Sequence, residues 1–401
     1  MQFWVRNLVA LWLVQFITLA GFSSVMPFLP IYVRELGVSS VQENGIWSGL
    51  LFSAAFVSTA LMSPVWGTLG DRYGRKPMLV RALVAMSFCL AAMAFASSVW
   101  QLLALRILQG FLGGSAPMAN ALMATSAPRQ RLGFAMGLLQ TAAASGTIIG
   151  PLIGGALADL VGIRSVFFVT GGLLFGAGLV AVFLVREEFT PAPRVAGEGF
   201  FGGVRETMRF GQLRFVFLLL FIAQLSAMII EPIVTLYIST MPSVSAESLA
   251  SQSGLIFAAA GFTGLVAAPL WGRLGDRTGR YKTIVSVALL GAALSYFPQA
   301  LVDSPGQLLV FRAILGACNA AVGPAVFAFI ASVVPQHRQG GAFGLTSTPI
   351  MMGNVVGPVA GGVLQAAFGI RSVFFVTGTL LLAVAICSNW LVREPERIMK
   401  A

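Results

Sequence analysis

The chain has 401 residues, of which 57% are hydrophobic and only 10% charged, with a mean hydropathy of +0.87. Soluble domains carry about 25% charged residues, so a water-soluble fold is excluded and the bilayer is the solvent. A net charge of +11 does not point to nucleic acid here, because most basic residues sit in short gaps between apolar runs. Cys89, Cys318 and Cys387 lie inside such runs as small hydrophobes, which argues against a disulfide or metal cluster.

A membrane helix needs about 20 mostly apolar residues. In the first half such runs predict helices over 8–33, 46–66, 78–97, 100–123, 133–158 and 165–185. The first follows Arg6 without a cleavage site, so it reads as a membrane helix and not a signal peptide. Gln15, Thr18, Phe22 and Met26 share one of its faces, and no acid lies there. After the second run comes Pro64-Val-Trp-Gly-Thr-Leu-Gly-Asp-Arg-Tyr-Gly-Arg75, in which the stretch Gly67–Pro77 reads as a loop. The fourth run carries Arg106, followed by Gln109 and Gly110. An intramembrane arginine costs at least roughly 2.5–3.5 kcal/mol, so it must meet water, an acid or carbonyls, or snorkel to an interface. The fifth run holds Gln140 and then Gly146, Gly150, Pro151, Gly154 and Gly155, with glycines on one helical stripe that permits close packing. Arg186–Arg214, with Pro191, Pro193 and the glycines of 197–203, reads as a linker. The expected organisation is a six-helix bundle over 1–186, a cytoplasmic linker over 187–213 and a second bundle over 214–401.

The second half repeats the design, with runs at 214–239, 252–271, 283–302, 306–330, 341–366 and 372–392. Gly162–Gly171 returns without a mismatch as Gly369–Gly378, an offset of 207 residues. Pro64–Arg75 returns as Pro269–Arg280, and the glycine-proline stripe as Gly353 to Gly362 with Gly357 and Pro358. Two such units predict a pseudo-symmetric molecule. The seventh run adds something new: Gln224, Met228, Glu231 and Thr235 at helical spacing, with Glu231 as the one acid placed well inside the apolar region. Desolvation disfavours the ionised form of such an acid, which lets it gain and lose a proton or attract a cation. A structural acid capped near Pro232 is the alternative. Arg312 is the counterpart of Arg106, with Leu315-Gly316 replacing Gln109-Gly110. Asn319, Phe327, Met351, Met352 and Asn354 are candidate cavity residues, since methionine and aromatic surfaces accommodate varied apolar molecules. The sole histidine, His337, has no partners nearby for a metal or a catalytic base, and no nucleotide-binding loop occurs, so no cofactor is expected.

Twelve helices put both termini on one side. Twenty basic residues fall on the loops of that side and three, Arg34, Arg164 and Arg371, on the other, so both termini are expected in the cytoplasm. The twenty include His337's neighbour Arg338 and the terminal Arg393, Arg397 and Lys400.

The paired segments Gly67, Asp71, Arg72, Arg75 and Gly272, Asp276, Arg277, Arg280 carry a glycine-x-leucine-x-aspartate-arginine-x-glycine-arginine signature. With it the chain resembles the major facilitator superfamily over nearly its whole length, in particular its twelve-helix drug:proton antiporters. The resemblance implies an all-α membrane fold of two pseudo-symmetric six-helix bundles. It implies that Asp71 and Asp276 face helix N-termini and help hold the cytoplasmic side closed, a chemically reasonable role. It implies that Arg106 serves proton coupling or holds the fourth helix, and that the Gly146–Gly155 motif marks antiporters, although glycine packing alone accounts for the same pattern. Several drug antiporters place an essential acid in the first helix, and this chain does not, which leaves Glu231 as the expected coupling residue. The expected function is proton-coupled export of amphipathic or cationic small molecules by a monomer in the cell inner membrane, not an enzymatic activity. A specific metabolite or sugar exporter is the rival within transport, and a non-transporting membrane sensor or scaffold the rival outside it.

Overall fold

The computed structural model describes residues 3–189, 211–334 and 343–391. Among these, twelve helices are long and apolar enough to cross a membrane, six in each half of the chain. Most of the expected linker, His337, Arg338, Arg393, Arg397 and Lys400 lie outside the described residues.

The first half builds α1 (Phe3–Ser24), α2 (Leu29–Glu35), α3 (Val41–Tyr73), α4 (Arg75–Met93), α5 (Val99–Leu112), α6 (Ser115–Ser126), α7 (Leu132–Val161) and α8 (Ile163–Leu184). The second builds α9 (Gly211–Ser239), α10 (Leu249–Thr278), α11 (Tyr281–Gln299), α12 (Pro305–Asn319), α13 (Val322–Val333), α14 (Ser347–Phe368) and α15 (Ile370–Leu391). The chain divides into two compact units, Met1–Arg194 with Val234–Ala258 and Val195–Ile233 with Ala259–Ala401.

Helix starts and stops follow local chemistry. Ser98 and Ser304, in equivalent places, each cap a helix by accepting from the backbone N–H three residues on, at 3.3 and 3.4 Å. Gly74, Gly162 and Gly369 adopt φ of 99°, 83° and 84°, a region closed to most side chains, and so turn one helix into the next without a loop. The duplicated ten-residue string therefore specifies the same glycine turn twice, and its Val-Phe pairs, Val166-Phe167 and Val373-Phe374, are fully buried in both copies.

Three predicted runs are broken in the structure. The run over 8–33 stops at Ser24 and restarts as α2, because Pro27 cannot donate a helical hydrogen bond and Pro30 fits only a first turn. The run over 100–123 breaks at Gly113-Gly114, where Gly114 takes φ of 107°. The run over 306–330 breaks at Ala320-Ala321. Hydropathy is blind to such breaks. Conversely, the stretches expected as loops from Gly67 and Gly272 are mostly helix: α3 continues to Tyr73 and α10 to Thr278. Nothing in those segments stops a helix before Gly74 and Gly279, both at positive φ. Cys89 is buried as expected, whereas Cys387 is exposed.

Packing within each unit repeats. In the first, α4 packs on α5, α6 and α8, and in the second α11 packs on α12, α13 and α15. Trp66 Nε1 donates to the Phe111 carbonyl at 2.7 Å, and Trp271 Nε1 donates to that of Ala317 at 2.8 Å. A Cβ at Gly110 would land on the Ala55 carbonyl, and one at Gly316 on that of Ala260, so α3–α5 and α10–α12 meet backbone to backbone.

Candidate functional site

In the first unit Arg106 is 4% exposed on α5. Its Nη1 donates to Gln109 Oε1 at 3.2 Å, one turn along the same helix, while its Nε has no partner. Gln15 is buried on α1, Phe22 meets Phe56 edge-on with centroids 6.0 Å apart, Met26 is half-buried and Gln140 is exposed.

In the second unit Glu231 of α9, Arg312 of α12 and Tyr296 of α11 lie within electrostatic reach of one another. Arg312 is 5% exposed, and its Nε and Nη2 have no hydrogen-bond partner; neither has the solvent-shielded Oε2 of Glu231. Buried polar atoms are almost always satisfied, so three unpartnered atoms on two oppositely charged groups set this cluster apart. Gln224 Nε2 donates to Asn354 Oδ1 at 2.7 Å, joining α9 to α14. Below that bond, Cβ atoms at Gly353 and Gly357 would strike Gln224 and Met228. Gln224 and Met228 therefore face α14, whereas Thr235, the last member of the same stripe, belongs to the first unit. Phe327 is exposed and edge-on to Phe343 at 5.6 Å; Met351 and Asn319 are half-buried.

The basic turn of the first unit is held by an acid that sequence reasoning missed. Glu187 accepts from the backbone N–H of Arg75 and of Lys76, each at 2.8 Å, and so occupies the positive end of α4. Asp71, 63% exposed, pairs with Arg75 at 3.3 Å one turn away, a contact worth about 0.2–1 kcal/mol on a surface. Arg75 Nη1 also donates to the Ala121 carbonyl at 3.1 Å, fastening the turn to α6. Arg72 lies 5.1 Å over the ring of Tyr73. In the second unit Asp276 accepts from the hydroxyl of Tyr281 at 3.3 Å, and Arg277 and Arg280 are exposed. Gly67 and Gly272 have nothing within 4 Å of a built Cβ, so close approach is not their purpose here.

The glycine-proline motif of α7 does serve close approach. A Cβ at Gly150 would land on the Ala20 carbonyl and Ser23 Oγ, one at Gly154 on the Ser24 carbonyl, and one at Gly146 2.6 Å from the Phe16 carbonyl. Ser23 Oγ also donates to the Gly146 carbonyl at 3.1 Å. On its other side α7 meets the start of α10: Gly155 lies against the Ala250 carbonyl and Gly254 against that of Pro151. Asp159 finishes the contact by accepting from the backbone N–H groups of Ala250 and Ser251, at 3.2 and 2.7 Å. In the second unit Gly357 and Gly361 of α14, beside Pro358, pack on Met228 and Ile229 of α9 in the equivalent way.

The sequence matches the family model described as Major Facilitator Superfamily over residues 11–245 and 216–401. It is 40% identical to multidrug resistance protein MdtG of Rahnella sp. (strain Y9602) over 400 residues, covering 99% of this chain and 96% of that protein. It is 41% identical to the MdtG of Yersinia enterocolitica over 396 residues, covering 98% and 94%. Among solved structures, it is similar to a bacterial homolog of the human lysosomal transporter Spinster, inward-facing and occupied, with a TM-score of 0.82 at 17% identity and 98% coverage of both chains. The nucleoside transporter NupG gives a TM-score of 0.77 at 12% identity, covering 96% of this chain and 98% of that one. These structural likenesses concern the fold alone.

Proposed function

The chain belongs to the Major Facilitator Superfamily and is a multi-pass membrane transporter of small molecules, and from that premise we propose that it exports amphipathic or cationic compounds in exchange for protons. The observation that carries this reading is the unpartnered Oε2 of Glu231 within electrostatic reach of Arg312, whose Nε and Nη2 are also unpartnered. A carboxyl shielded from water and opposed by a cation can change its charge without a solvent shell to resist it. In the proposed cycle Glu231 takes a proton from outside as substrate leaves, and loses it to the cytoplasm as substrate returns. Arg312 holds the ionised acid between those events. Arg106, tied to Gln109, keeps a permanent charge in the first unit. The basic turns around Asp71, Arg72 and Arg75, and around Asp276, Arg277 and Arg280, act as the cytoplasmic gate. The protein is proposed to work as a monomer in the cell inner membrane with both termini cytoplasmic, as the distribution of its basic residues supports.

The relatives named for multidrug resistance support the breadth of substrate. The test is dye accumulation in inverted membrane vesicles under an imposed proton gradient. Glu231→Gln is expected to abolish gradient-driven accumulation while dye binding survives. Equal accumulation by both proteins would remove Glu231 from coupling. Failure of both to move any of a broad dye panel would favour a specific exporter.

A further inference from the structure

We propose that the first unit carries a second binding site, separate from Glu231, which takes a small amphipathic zwitterion. The site is a cavity of about 540 Å³, within the range of roughly 300–1,000 Å³ usual for small-molecule pockets. Its walls come from α2, the start of α3, the end of α9 and the start of α10, all within the one unit.

Thr235 is the observation that marks it as a site. It is 1% exposed, it lines the cavity, and its hydroxyl has no hydrogen-bond partner. Other buried helical threonines use that hydroxyl: Thr18 bonds the Val14 carbonyl and Thr377 that of Val373, both at 2.7 Å, and Thr170 pairs with the Ser24 hydroxyl at 3.4 Å. Thr235 keeps its donor, and an unsatisfied buried hydroxyl costs about 1–3 kcal/mol unless something fills the need.

The other polar groups define what can fill it. Asn44 is already used, donating to the Pro30 carbonyl at 2.9 Å and accepting from Ser48 at 3.0 Å. Ser239 and Thr240 donate to the carbonyls of Leu236 and Tyr237, each at 2.7 Å, and so turn only lone pairs outward. Arg34 and Glu35, residues of opposite charge type, both line the cavity. Burial pushes the Glu35 carboxyl up, and the Arg164 guanidinium pulls it back down. A lone cation here meets Arg34 and a lone anion meets Glu35. A molecule with both charges satisfies both: its acid on Arg34 and its ammonium on Glu35 and the hydroxyl lone pairs. Its apolar body lies on Ile31, Leu236 and Leu249. The α10 wall is fixed in place by Asp159, which holds the two backbone N–H groups directly after Leu249.

The test uses three molecules with one skeleton: phenylalanine, phenethylamine and 3-phenylpropanoate, titrated calorimetrically into the full-length protein in nanodiscs. Phenylalanine is expected to bind saturably and about tenfold or more tighter than either singly charged analogue. Thr235→Val is expected to weaken phenylalanine about tenfold and Thr235→Ser to restore it, while Glu231→Gln leaves it unchanged. Glu35→Gln, at an exposed position, is expected to remove the preference for phenylalanine over 3-phenylpropanoate. Absence of saturable phenylalanine binding, equal binding of all three molecules, or wild-type discrimination in Glu35→Gln would each overturn the proposal.

Discussion

Arg106 and Arg312 stand 206 residues apart in equivalent places, both buried, yet they are served differently. Arg106 finds an uncharged acceptor, Gln109, on its own helix. At the matching position Arg312 has Leu315, which can accept nothing. The opposite charge within its electrostatic reach lies on another helix, as Glu231, which directly precedes Pro232; Met26 directly precedes Pro27 in the first half. Two exchanges, glutamine for leucine and methionine for glutamate, thus turn one duplicated plan into an arginine bonded within its helix on one side and an arginine with an acid on another helix on the other. The scaffold stays common, and the chemistry diverges through two side chains.

The strongest way to break this comparison is to delete each arginine. Removing one member of a buried charge pair costs roughly 3–5 kcal/mol, whereas leaving a neutral acceptor unpaired costs roughly 1–3 kcal/mol. Arg312→Leu is therefore expected to lower the thermal midpoint more than Arg106→Leu, and Glu231→Gln in the same chain to recover most of the loss. Equal losses in the two single variants, or no recovery, would show that Arg312 does not depend on Glu231.

A second test asks where the units remain alike. Gly150 and Gly357 both pack a helix stripe against a neighbouring helix, so alanine at either is expected to cost about 1–3 kcal/mol by overpacking. Gly67 and Gly272 have open space around them inside helices, and alanine there is expected to stabilise by about 0.5–1 kcal/mol. Denaturation of the four variants in one detergent separates the two classes; a loss at Gly67 as large as that at Gly150 would contradict the assignment. The smallest effect is expected at Glu187. Glu187→Gln keeps hydrogen-bond acceptance for α4 but loses the charge on its positive end, for about 0.3–1 kcal/mol, diminished by salt. An unchanged midpoint at low ionic strength would mean the charge contributes nothing.

Twelve membrane helices, six in each half of the sequence, and the duplication were legible in the chain, because run length and repeated strings are local properties. The breaks at Pro27, Gly114 and Ala320 were not, since hydropathy averages over the backbone turn that makes them. Glu231 stood out as an acid among apolar residues, but its relation to Arg312 and Tyr296 depends on three helices meeting. Glu187 and Asp159 act on backbone N–H groups 112 and 91 positions away, and carboxylates used that way leave no local pattern. The stripe from Gln224 to Thr235 was visible as a periodicity, whereas its division between two units was not.

The repeated turn at Gly162 and Gly369 has a practical use. Ser165 and Ser372 follow it at the same step, both are half-buried, and each bonds a carbonyl of its own turn, at 2.8 and 2.6 Å. A spectroscopic label attached at either would hang from the same local tether. Any difference between the two signals would then come from the surroundings and not from the linker, which gives the molecule an internal reference that a single-copy protein lacks.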